Sequence, residues 1–163
     1  MSTSGMIYVH SSPSAVCPHV EWAVAGVLQV RANLQWTAQA AAPGQLRAEC
    51  EWSAEPGTAA VLVGALRAWP MLRFEVTEDP STGVDGERFC FVPGLGLWRS
   101  RTSANGDIVV GEDQLRALVV TARGAESFAH QLDQLLGTAW DDALEPFRRA
   151  ADGAPVSWLH RVG

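Results

Sequence analysis

The sequence predicts an α+β fold: a ferredoxin-like βαββαβ antiparallel sheet carrying an appended C-terminal β-hairpin and helices. Three observations lead there. Apolar-periodic segments follow one another in the order β-α-β-β-α-β within about eighty residues. The connections between them are short and built from turn residues. Further on, Asn105-Gly106 is a hairpin signal flanked by strand-like runs.

Met6 to His10 is apolar on both faces, with β-branched and aromatic residues, as in a central strand. Ser11-Ser12-Pro13-Ser14 then breaks the chain, and Pro18 stands where a helix can start. From His19 to Val30, Val20, Val24, Val27 and Leu28 keep helical spacing, and Glu21, Ala25 and Gln29 form a narrow polar stripe. So narrow a stripe implies a helix covered on more than one side. Leu34, Trp36 and Ala38 alternate with polar residues, as do Leu46, Ala48, Cys50 and Trp52, and Pro43-Gly44 between them predicts an antiparallel hairpin. A second helix runs from about Thr58 to Trp69 and stops at Pro70; Leu72 to Thr77 is the next strand.

Beyond a Gly/Ser/Asp link at 81–86, Arg88–Val92 and Leu95–Thr102 read as strands, with Ile108–Val110 the return from Asn105-Gly106. Three helices follow. The first turns Leu115, Leu118, Val119 and Ala122 inward. The second carries Phe128, Leu132, Leu135 and Leu136 and ends at Gly137. The third opens on Thr138 with Asp141 as a capping pair and carries Trp140, Leu144 and Phe147. The tail, 155–163, is extended. Residues 1–80 thus form the ferredoxin-like core, and residues 81–163 a hairpin and helical extension packed on it as one structural unit.

All 12 positive residues are Arg and there is no Lys, which excludes Schiff-base chemistry, a lysine base and a Walker-type phosphate lysine. A net charge of -6 argues against nucleic acid as a partner. Apolar runs such as Trp22–Leu28 are too short to cross a membrane, the first Arg is Arg31, and three Cys without framework spacing do not suggest disulfides. The expectation is a cytoplasmic protein with reduced thiols.

Several blocks together resemble the domain of unknown function 3145 family of short bacterial proteins. They are Tyr8-Val9-His10-Ser11, Cys17-Pro18-His19-Val20-Glu21-Trp22-Ala23-Val24, Phe74-Glu75-Val76-Thr77-Glu78, Leu144-Glu145-Pro146-Phe147-Arg148 and Ala154-Pro155-Val156-Ser157-Trp158-Leu159-His160-Arg161. The resemblance covers essentially the whole chain. It brings no activity, cofactor or site. The resemblance also implies a gene neighbourhood, often beside the genes for dissociated fatty-acid synthesis, and by that association an accessory role in the pathway with one of its components as partner.

Cys17-Pro18-His19 is the sharpest local candidate for chemistry. A thiol at a helix N-terminus meets the positive dipole end, and His19, or His10 from the preceding strand, could act as base in a small acyl or thioester hydrolase. The plainer reading is a buried, inert Cys17 with His19 on the surface. Cys17, His19 and His10, with Cys90 or His160 as a fourth ligand, lack the paired spacing of a zinc site, so neither metal nor cofactor is expected. The Ser11–Ser14 loop reads as a polar turn with an N-cap serine. Glu75, Glu78 and Asp79, and likewise Asp141, Asp142 and Glu145, read as surface charge, Glu75 sharing a solvated sheet face with Arg73.

Arg99 and Arg101 point to one side of a strand, with Trp98 on the other. Together with Arg148, His160 and Arg161 they are the candidate contacts for an acidic small ligand or a protein partner. Of the Trp residues, Trp36, Trp52 and Trp69 fit core positions, whereas Trp22 and Trp158 are candidate interface anchors. The leading expectation is therefore a non-catalytic accessory or regulatory protein, with cysteine hydrolase chemistry at Cys17 as the alternative.

Overall fold

The computed structural model describes residues 1–151 and the strand at 156–160. Among these residues the chain forms eight strands, β1 (Thr3–Pro13), β2 (Thr37–Ala38), β3 (Gln45–Ala54), β4 (Arg73–Glu78), β5 (Gly86–Val92), β6 (Gly96–Thr102), β7 (Ile108–Val109) and β8 (Val156–His160). Five helices accompany them: α1 (Cys17–Leu28), α2 (Thr58–Leu66), α3 (Glu112–Thr121), α4 (Ala125–Leu136) and α5 (Thr138–Arg149). Seven strands lie in the order β2-β3-β1-β4-β5-β6-β7, antiparallel throughout. The eighth, β8, runs parallel to β3 along Glu49–Ser53 and shares that edge with β2, which pairs at Leu46 and Arg47. The protein is α+β, and one continuous sheet passes from its N-terminal into its C-terminal half through the β4–β5 ladder.

Alternation along the strands gives the sheet two faces. On one, Ile7, Val9, Ala48, Cys50, Trp52, Phe74, Val76, Phe89 and Phe91 pack with Val20, Val24 and Leu28 of α1 and Leu62, Val63 and Leu66 of α2. The other face is smaller in apolar content: Cys90, Val92 and Trp98 meet Leu144 of α5, with Trp140 and Ala143 beside it. The junction of α4 and α5 is fixed to β6 by both tryptophans. The Trp98 indole donates to the Leu135 carbonyl at 3.2 Å and the Trp140 indole to the Gly96 carbonyl at 3.0 Å. Gly137 ends α4 with φ 72° and lies flat against the Trp98 ring, where a Cβ would come within 2.6 Å of ring carbon.

Four expectations need correction. The strand expected at Leu34–Ala38 shrinks to Thr37–Ala38, because the Glu21 carboxylate of α1 takes the Leu34 N–H at 3.1 Å and the Trp36 indole N–H at 2.8 Å, holding that stretch off the ladder. No serine caps α1; a 3-10 turn at Ser14–Val16 leads in, with Pro18 in the first turn. Thr138 does not cap α5, since Gly137 occupies that position and the Thr138 hydroxyl donates to Asp133. Most consequentially, α3 buries Leu118 alone, leaving Leu115 and Val119 exposed.

Gly137→Ala should cost about 1–3 kcal/mol in urea unfolding, because the methyl collides with the Trp98 ring and the backbone is already left-handed.

Candidate functional site

The most heavily charged interior feature is one that sequence reasoning assigned to the surface. Glu75, in the middle of β4, is 5% exposed. Strand β1 carries a bulge here: Val9 pairs with Phe74 and Ser11 with Arg73, so His10 is the extra residue. The bulge aims the His10 ring at Glu75, and its Nε2–H donates to Oε2 at 2.6 Å, an ionised carboxylate being an acceptor only. From α5, Arg148 grips the same carboxylate with two nitrogens, Nε lying 2.9 Å from Oε2. Arg88 of β5 reaches it at 3.0 Å and the Cys90 thiol at 3.3 Å. Asp141 closes the ring, accepting from Arg88 at 2.9 Å and from Arg148 at 3.0 Å. Two guanidinium groups thus face two carboxylates. Gln39, buried at 1%, adds a bond from its side-chain amide to the His10 carbonyl at 2.8 Å.

Burial alone would push the Glu75 carboxyl up, but the hydrogen bond from His10 and the Arg148 guanidinium outweigh it and hold the group well below the usual carboxylate range. Arg148 is likewise held more basic than a free arginine, its burial outweighed by Glu75 and Asp141. The Cys90 thiol is driven far up by burial and then by the Glu75 charge. Glu78 is a second buried carboxylate: it accepts the Gly57 N–H at 2.7 Å and the Ala59 N–H at 2.9 Å, capping α2 from a distant strand. Both glutamates are therefore structural anchors rather than surface charge.

The residues expected to form a cysteine site do not assemble. Cys17 is 5% exposed, and its thiol meets the Ser12 hydroxyl at 3.6 Å and the Pro13 carbonyl at 3.5 Å. Burial raises its pKa, so the expected lowering by the helix dipole is overridden. His10 is committed to Glu75, and His19 lies on the surface between the rings of Trp22 and Trp69. Burial likewise pushes Cys50 up to about 12. Among the described residues no group of three His, Cys, Asp or Glu is placed to hold a metal.

The arginine set divides. Arg148, half-buried, is committed to Glu75 and Asp141. Arg99 and Arg101 project together from β6 into an open groove of about 580 Å³ lined also by Glu87, Val109 and the start of α3 at Gly111–Gln114. Arg99 pairs with Glu87, its guanidinium above the Phe89 ring, while Arg101 lies 3.7 Å from Asp85. Because Glu87, Glu112 and Asp113 outnumber the two arginines there, the groove does not favour a small acidic ligand. His160 sits at the end of β8, paired in register with Ser53. Arg161 lies outside the described residues.

This is an α+β protein whose second sheet face meets α5 through a salt-bridge cluster built on the buried Glu75. The family model described as "Protein of unknown function (DUF3145)" matches residues 6–161, and the chain belongs to that family. No curated protein and no solved structure matches it. No helix among the described residues is long and apolar enough to cross a membrane.

Two measurements probe this site. Because the Glu75 pKa is depressed on folding, its contribution to stability is complete above pH 4.5 and fades as pH falls below that value. Glu75→Gln should cost about 1–3 kcal/mol at neutral pH, by leaving the buried His10 and the half-buried Arg88 and Arg148 guanidinium groups without their anion, and should flatten the acid limb of a stability-versus-pH curve. Thiol labelling of the native protein at pH 7 should be slow at Cys17, Cys50 and Cys90 alike and fast after denaturation; rapid native labelling of Cys17 would contradict its burial.

Proposed function

We propose that this protein is a cytoplasmic, non-catalytic accessory factor that works by binding a protein partner along α3 and the adjoining edge of β6. One observation carries the reading: α3 exposes Leu115 at 40%, Val119 at 73% and Val120 at 84%, an apolar surface that a ten-residue helix does not leave in water without cause. On the same helix Glu112 pairs with Arg116, and Arg99 and Arg101 line the groove at its first turn, so charges of both signs neighbour the apolar residues, as at protein interfaces. The alternative, hydrolysis through Cys17, has no such support, since thiol and imidazole are turned to different partners.

The scaffold suits that role. The antiparallel order β2-β3-β1-β4, with α1 and α2 on one face, supports our reading of residues 1–80 as a ferredoxin-like unit with 81–163 as its extension. The implied genetic association makes a component of dissociated fatty-acid synthesis the partner to test first.

A native pull-down with mass-spectrometric identification tests the reading. Val119→Asp with Val120→Asp should lower recovery of the partner at least about tenfold, the effect of losing a modest hot spot. Charge reversal at Arg99 and Arg101 should weaken it in a salt-dependent way. Recovery unchanged in both variants would remove this surface from the proposal.

A further inference from the structure

The two helical layers hold the sheet in different ways. Helices α1 and α2 bury four residues each. The layer on the second face, α3 to α5, buries Leu118 and Leu144 alone, and of these Leu144 joins the small cluster of Cys90, Val92 and Trp98. Polar ties supply the rest. They are the two indole bonds at Leu135 and Gly96, and two ion pairs across the seam, Arg148 to Glu75 and Asp141 to Arg88. The four charges divide evenly. On the sheet side Glu75 has Arg88 at 3.0 Å and His10 at 2.6 Å. On the α5 side Arg148 has Asp141 at 3.0 Å and Glu145 at 3.7 Å. Each half thus contains both signs of charge, and parting the halves strands no ion without a partner. Water already reaches the seam, since the side chains of Arg88, Arg148 and Asp141 are 22%, 24% and 40% exposed.

We propose that α3, α4 and α5 form a lid that lifts from the second sheet face as one unit while the sheet, α1 and α2 stay folded, with the seam of Glu75, Arg88, Asp141 and Arg148 as its clasp. Regions held by few buried apolar contacts open at a lower free energy than the core, and this layer is such a region. Its parts move together: Gly137 joins α4 to α5 directly, and the Thr121 hydroxyl of α3 donates to Gln131 of α4 at 3.0 Å. Both flanks remain anchored in the sheet, by β7 before α3 and by β8 after α5, so the lid swings without unthreading. Lifting it uncovers Cys90, Val92 and Trp98, an apolar patch that the closed molecule hides. Because the clasp is ionic and partly wetted, dissolved salt weakens it, whereas apolar packing under α1 and α2 does not respond in that way.

Two native thiols report on the two layers. Cys90 lies beneath the lid and Cys50 in the core shared with α1 and α2, and both are buried. The measurement is the rate of alkylation by iodoacetamide at fixed pH, read at each cysteine by peptide mass spectrometry; the reagent is uncharged, so salt does not alter its approach. Both thiols label slowly against the denatured chain, and within that range Cys90 should react at least about tenfold faster than Cys50. Raising KCl from about 0.02 M to about 0.5 M should speed Cys90 at least about threefold and leave Cys50 unmoved. Arg148→Gln, which removes one cross-seam pair, should speed Cys90 at least about tenfold with Cys50 within about twofold of wild type. Hydrogen exchange should give α4 and α5 the same salt sensitivity and spare β1, β3 and β4. Equal rates at Cys90 and Cys50 in the wild-type chain would mean that the lid opens only when the whole molecule unfolds, and would overturn the proposal. So would a Cys90 rate indifferent to salt. Should Arg148→Gln speed both thiols together, through general loss of folding, the wild-type salt series still decides. The partner reading at α3 stands or falls separately, since Val119 and Val120 lie outside the seam.

Discussion

The structure depends on keeping one carboxylate ionised inside it. Glu75 sits where the second face of the sheet meets α5, and an isolated charge there would be prohibitive. The cost is met by drawing groups from three parts of the chain: His10 from the bulge of β1, Arg88 and Cys90 from β5, and Arg148 with its counter-ion Asp141 from α5. Such a cluster adds little net stability compared with a packed apolar core, but it is highly specific in geometry. A bidentate arginine accepts one register of α5 on the sheet, and a slip of one residue leaves two charges unmatched. On the α1–α2 face, by contrast, ordinary apolar packing does the work, and many hydrophobic combinations would serve.

Much of the architecture was legible from periodicity. The elements fall in the expected order, Cys50 and Trp52 lie in the core, Arg99 and Arg101 share a side of β6, and Asn105-Gly106 joins β6 to β7. Such features follow from local rules, since alternation sets the face and a Gly at the right place sets the turn. Leu34–Ala38 failed because a side chain elsewhere, Glu21, takes the Leu34 backbone N–H from the ladder and tethers the Trp36 indole. Leu115 and Val119 failed because periodicity says which residues share a face and nothing about whether another element covers it.

The charge cluster was missed for a related reason. Phe74-Glu75-Val76 alternates as a half-exposed strand would, so Glu75 looked solvated. The overlooked signal was the amphipathic last helix: Trp140, Leu144 and Phe147 need a surface to cover, and the face opposite α1 and α2 was the remaining one. Once α5 is laid there, polar residues on that face must find partners within the protein, and Arg148 is the residue of α5 placed to supply one. The attraction of Cys17 and His19 came from their adjacency at a helix start, which the fold dissolves by turning the thiol inward and the imidazole outward.

The parallel pairing of β8 with β3 bears on how the chain is born. Glu49–Ser53 leave the ribosome roughly 100 residues before the strand that covers their outer edge, a delay of about 5–20 s at ordinary elongation rates. Through that interval the nascent polypeptide displays a row of open amide and carbonyl groups, the template on which strands from neighbouring chains add and aggregation begins. Final closure of that flank is thus a late, long-range event.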